Sequence, residues 1–221
     1  MNRYLYLMSD RTHSRAEVIA DATLHALGIG FAVTGTALLL VFASAHVDGG
    51  TLTGLAIYGG ALIASFVISA FYHLAPWDAL RDTLRRIDQA AIYFKIAGTY
   101  TPFAIFIGTG FAYGVLTLVW VLASIGAVVK LALRKRPGKW AAVMYLVLGW
   151  MSLLLAWPLV QLLPVAASVL ILAGGITYSV GVTLFYWAEL RFANAIWHGH
   201  VLAASACFFI AISMGAFALP G

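Results

Sequence analysis

Seven apolar runs, each near the length a helix needs to cross a bilayer, take up almost all of this 221-residue chain. They fall at roughly 20–44, 52–74, 87–107, 112–132, 140–160, 164–188 and 196–217, against about 20 residues per crossing. In hydrocarbon every backbone N–H and C=O must find its partner within the protein, and a helix satisfies them segment by segment. The expected fold is therefore all-α, a polytopic bundle of seven transmembrane helices. With 63% hydrophobic and 10% charged residues, the chain has no room for a soluble domain. It is read as a single membrane domain, 1–221, with a polar N-terminal segment over 1–19. The late start of the first run, near Ala22, argues against a cleaved signal peptide. The lone Cys207 excludes an internal disulfide and a zinc-finger spacing.

The basic residues are sorted by connection. Arg3, Arg11 and Arg15 precede the first run; Arg81, Arg85 and Arg86 lie between the second and third; Arg134, Lys135, Arg136 and Lys139 lie between the fourth and fifth; Arg191 lies between the sixth and seventh. The alternate connections, with turn residues such as Asp48-Gly49-Gly50, Gly108-Thr109-Gly110 and Pro158 with Pro164, carry none. Positive charge stays cytoplasmic, so the N-terminus is expected inside and the C-terminus outside. The net charge of +5 then reports orientation rather than a nucleic-acid partner.

This topology brings His25, Ser69, His73, Asp88, Asn194, His198 and His200 to the cytoplasmic side. Ionisable groups at such positions are costly and are functional suspects. Ser69 and His73, four apart, share a helical face. Asp88 follows Arg85 and Arg86, where a carboxylate in a first turn also has a purely structural explanation. Lys95 shares the face of Asp88 about two turns deeper. It is expected to face the bundle and pair with the Asp88 region, with a substrate head group as the second reading. Asn194 and His198 share a face, whereas His200 points elsewhere and is read as a packing or headgroup residue. Glu17, Asp21 and His25, at four-residue intervals, read as a solvated start to the first helix.

In this order the clusters resemble the hemolysin III family, the bacterial branch of the progestin and adipoQ receptor superfamily. The resemblance rests on Ser69-x-x-x-His73, Arg86-x-Asp88 followed by Ile96-Ala-Gly-Thr-Tyr-Thr-Pro-Phe103, Tyr145-x-x-x-Gly149-Trp150, Gly174-Gly175-x-x-Tyr178-x-x-Gly181, and Ile196-Trp197-His198. It implies a cell-membrane protein with a cytoplasmic-facing Zn2+ site. The metal positions carried over are His73, Asn194 and His198; Asp88 would hold a metal-bound water, and Ser69 matches the family's serine. The pattern has histidine where this chain has Asn194. An amide carbonyl is a poorer zinc ligand than imidazole, and water, His25 or Asp88 could complete the shell.

Three functions follow as expectations. The first is a zinc-dependent hydrolase of a membrane lipid, since the alkaline ceramidases, more distant by the same resemblance, suggest lipid amides or esters. The second is a non-enzymatic, receptor-like sensor of membrane state. The third, a cytolysin, ranks last because a secreted pore former must stay soluble before insertion. Membrane lipids are the expected partners.

Overall fold

The computed structural model describes residues 14–132, 139–187 and 190–218, with only the backbone for 139–141. The cations Arg3, Arg11, Arg134, Lys135 and Arg136, and the turn residues Pro137 and Gly138, lie outside the described residues. Among the described residues the elements are α1 (Arg15–Ala43), α2 (Gly49–Leu74), α3 (Arg81–Ile107, entered through a 3-10 turn Asp78–Leu80), α4 (Gly110–Ala132), α5 (Lys139–Trp150), α6 (Ala156–Leu162), α7 (Val165–Phe185) and α8 (Ala193–Ala218). They make seven helical segments long and apolar enough to span a membrane, α5 and α6 sharing the fifth. The chain is an all-α, multi-pass membrane protein.

Several helices begin earlier than their apolar runs, because hydropathy marks the hydrocarbon slab and not the helix ends. At about 1.5 Å per residue the 29 residues of α1 exceed a hydrocarbon core of about 30 Å, so polar ends project. Ser14 and Glu17 start α1 with a reciprocal capping box, the Ser14 N–H donating to Glu17 Oε2 at 2.8 Å. Part of the expected 1–19 segment is thus already helix. The largest shift is in α3, which begins at Arg81, so Asp88 stands about two turns inside the helix. The first-turn carboxylate is Asp82, ion-paired with Arg85 and Arg86. The macrodipole explanation belongs to Asp82 and not to Asp88.

At the opposite end Asp48 caps α2, accepting from Gly50 N–H at 2.7 Å, Thr51 N–H at 3.0 Å and the Thr51 hydroxyl at 2.7 Å. These hydrogen bonds, led by that from the Thr51 hydroxyl, hold its carboxyl below the usual range. Gly108 closes α3 in the left-handed conformation, φ 66°. The fifth crossing is not one helix: a 3-10 stretch, Met151–Leu155, separates α5 from α6, and Pro158 lies within α6 rather than in a connection. The tighter winding frees carbonyls, and the Tyr100 hydroxyl of α3 lies 2.8 Å from those of both Leu148 and Gly149.

The third crossing is the interior one, 56% buried against 17% for the fifth and sixth. Helix α3 packs on α2, α4 and α8, while α1 lies between α2 and α8, and α7 lies against α8. Close approach needs glycine at two points. A Cβ on Gly28 of α1 would sit 2.5 Å from the Phe66 ring, and one on Gly181 of α7 would sit 2.7 Å from His200 Cβ. The result is that α1, α2, α3 and α8 surround one polar space.

Candidate metal centre

Asp21 organises the site. Four residues before His25 on α1, it offers two acceptors: its backbone carbonyl receives His25 Nδ1–H at 2.8 Å, and its carboxylate Oδ1 receives His198 Nδ1–H at 2.6 Å. Its second oxygen lies 3.5 Å from His73 Nδ1. The three rings cluster, with centroid separations of 4.2 Å for His25 and His198, 4.5 Å for His73 and His198, and 5.3 Å for His25 and His73. Asp21 is 7% exposed and His25 2% exposed. The expectation of a solvated start to α1 is therefore wrong for these two residues: on a spanning helix the polar stripe turns inward, because the alternative is lipid.

A backbone carbonyl only accepts, so Nδ1 of His25 carries the proton and its Nε2 presents a lone pair. That Nε2 lies 3.4 Å from Ser69 Oγ, and His198 Nε2 lies 3.5 Å from the same oxygen. One hydroxyl proton cannot serve both imidazoles, and Ser69 is also the hydrogen-bond neighbour of Asp88. Acceptors thus outnumber protons around Ser69, the condition under which a cation is favoured.

Within 4.8 Å of one another lie one donor atom each of Asp21, His73 and His198. Two imidazoles and a carboxylate are a donor set that suits zinc and other first-row divalent ions, so these residues fit the metal that the family resemblance implies. Two of the three, His73 and His198, were legible in the sequence; Asp21 was not. Asn194 stands on the first turn of α8 and makes interactions of its own.

What aligns α1 with α8 is Glu17. Besides capping α1, its Oε1 receives the Phe192 N–H at 3.1 Å. Phe192 has φ 58°, a left-handed conformation uncommon for a bulky residue, and α8 begins at the next residue. The capping residue of one helix thus holds the strained turn that launches the other, which sets Asp21 opposite His198.

Beside the cluster lies a cavity of about 50 Å³. Its polar lining is His25, Ser65, Ser69, Asp88, Lys95 and His198, and its apolar wall includes Leu24, Phe66, Ile92, Trp197 and Val201. Asp88, Ser69 and His198 are brought together here as the sequence suggested. Lys95 faces the bundle, 9% exposed. Its Nζ donates to Ser205 Oγ at 2.8 Å and lies over the Phe66 and Tyr178 rings at 4.7 and 5.4 Å. His200 is turned away, its Nδ1 bonded to the Ile196 carbonyl at 2.8 Å, in keeping with a packing role.

A seven-span helical protein with two histidines and an aspartate buried at one end of the bundle defines a class, and sequence comparison places the chain within it. Residues 15–209 match the family described as haemolysin-III related, and the chain belongs to that family. It is 34% identical over 198 residues to the hemolysin-3 homolog of Bacillus subtilis (strain 168), covering 89% of this chain and 92% of that one. It is 32% identical over 206 residues to hemolysin-3 of Bacillus cereus, covering 93% and 94%. The human monocyte to macrophage differentiation factor matches at 26% over 225 residues, covering 96% and 92%.

Proposed function

We propose that this protein is a divalent-metal-dependent hydrolase of a membrane lipid amide or ester, working at the cytoplasmic side of the bacterial inner membrane. The observation that carries the reading is the group Asp21, His73 and His198, whose donor atoms lie within 4.8 Å beside a cavity lined by Ser69 and Asp88. Zinc is the metal of choice for this donor set. His73 and His198 would hold it, with Asp21 supplying the anionic donor where a neutral Asn194 stands in the place of a family histidine. The cytoplasmic placement follows from the basic residues at that end of the bundle.

The chemistry divides among the chain's own residues. When bound, the ion supplies a Lewis acid and lowers the pKa of a coordinated water toward about 7. Asp88 takes a proton from water on the cavity side and returns it to the leaving amine or alcohol. Ser69, poised between His25 and His198, orients the reacting oxygen. The apolar wall of Phe66, Ile92 and Val201 receives the acyl chain arriving from the inner leaflet.

Metal analysis of detergent-purified protein tests this reading. The expected result is about one zinc per chain, lost in His73→Ala and His198→Ala and held more tightly in Asn194→His. Folded wild-type and Asn194→His proteins both free of metal after purification with zinc supplied would remove the chemistry and leave the non-enzymatic sensor in its place.

A further inference from the structure

Lys95 is left unused by that scheme, and its surroundings are unusual for a buried cation. Ser205 Oγ donates to the Val201 carbonyl at 2.6 Å and receives Lys95 Nζ at 2.8 Å, with the Tyr178 hydroxyl 3.0 Å away. Ser205 is therefore saturated, and it is the hydrogen-bond acceptor that Lys95 has among the described residues. An ammonium carries three N–H donors. The remaining two have aromatic faces and the cavity before them. No carboxylate among the described residues lies within 4.0 Å of Nζ; Asp88 lines the same cavity from a position two turns closer to the start of α3.

We propose that Lys95 is the binding group for a carboxylate seated in the cavity between α1, α2, α3 and α8, the head of an acyl chain that continues beyond the cavity past its apolar wall. Helical side chains tilt toward the helix N-terminus, so the ammonium is directed back toward the space that Asp88 and His198 border. Tyr178 and Phe66 fix its position, and the apolar wall suits the chain that follows the head group. The choice of an acyl carboxylate over another anion rests on the hydrolase reading, of which it would be the product. Charge supports it: Lys95 has no carboxylate within 4.0 Å among the described residues, and a monovalent anion beside its Nζ neutralises it. In a buried site such compensation is what makes charge tolerable.

The test uses dodecanoate labelled at its carboxyl carbon, followed by NMR with the purified full-length protein in maltoside micelles, with dodecanol as the neutral competitor. A saturable bound carboxylate signal is expected, with dodecanol displacing it about tenfold or more less effectively than unlabelled dodecanoate. The signal should survive chelation of metal, weaken about tenfold or more in Lys95→Met, and persist in Lys95→Arg. The proposal is overturned by any of four results: no saturable signal, equal displacement by dodecanol in the wild-type protein, wild-type affinity in Lys95→Met, or loss of binding on chelation. The wild-type arm stands even if Lys95→Met does not fold. Because binding is read without turnover and without metal, the hydrolase reading and this one fail separately.

Discussion

The two ends of the bundle use the same residue types in opposite ways. Where α1 ends and α2 begins, His46 and Asp48 are exposed and satisfied within their own turns: His46 Nδ1 donates to the Phe42 carbonyl at 2.8 Å, and Asp48 caps α2. Where α1 and α8 begin, Asp21, His25 and His198 are buried, and they look partly across helices. A polar side chain that completes its hydrogen bonds locally leaves the bundle free to pack around it. One that completes them across helices ties the helices together and makes a site. The largest expected effect follows from this contrast. Asp21→Ala, which strips the carboxylate that His198 donates to and that lies beside His73, should cost about 3 kcal/mol or more, whereas His46→Ala should stay within about 0.5 kcal/mol. Thermal unfolding in one detergent compares them directly, and equal losses would mean that the histidine cluster is no more cohesive than a surface turn.

This contrast also explains what the sequence disclosed. Seven runs of adequate length were visible because lipid forces apolar continuity, and His73 and His198 stood out against that background at helix ends. Asp21 did not, although Glu17, Asp21 and His25 recur at helical spacing. A polar stripe near a helix start reads as solvated unless one knows that the helix extends back to Arg15 and that α8 packs on it. The depth of Asp88 was hidden for the same reason, since the apolar run starting near Ile87 concealed six helical residues before it. The partner of the carbonyls freed at the break in the fifth crossing is Tyr100, which lies 48 residues from Leu148 in the chain, and no local pattern carries that pairing.

The contrast sharpens if groups that line one cavity without direct contact still act together. Asp88 and Lys95 line one cavity, with the ammonium bonded to Ser205 and not to the carboxylate. Low dielectric carries their attraction across the gap, so Asp88→Asn and Lys95→Met should be non-additive, with a coupling of about 1 kcal/mol. A double-mutant cycle on thermal stability measures it. Strict additivity would mean that each group is compensated independently, Lys95 by its aromatic faces and Asp88 by Ser69.

The smallest effect belongs to Asp48, whose titration is visible because it stands outside the spans. Its carboxyl is held below the ordinary range by three hydrogen bonds to its charged form, the Thr51 hydroxyl foremost. A folded-state pKa below the unfolded one, about 3.9, contributes stability that is fully present above that unfolded value. The contribution is lost as pH falls through the depressed folded-state value. Asn at this position still accepts from the first turn as an N-cap but does not titrate. The gap in melting temperature between wild-type protein and Asp48→Asn should therefore be constant from neutral pH down to about pH 5 and then narrow on further acidification. Exposure and screening keep it small. A gap that stays flat through pH 3 would show that the cap is held by geometry alone, and that the end of the bundle where α1 meets α2 owes nothing to the charge of Asp48.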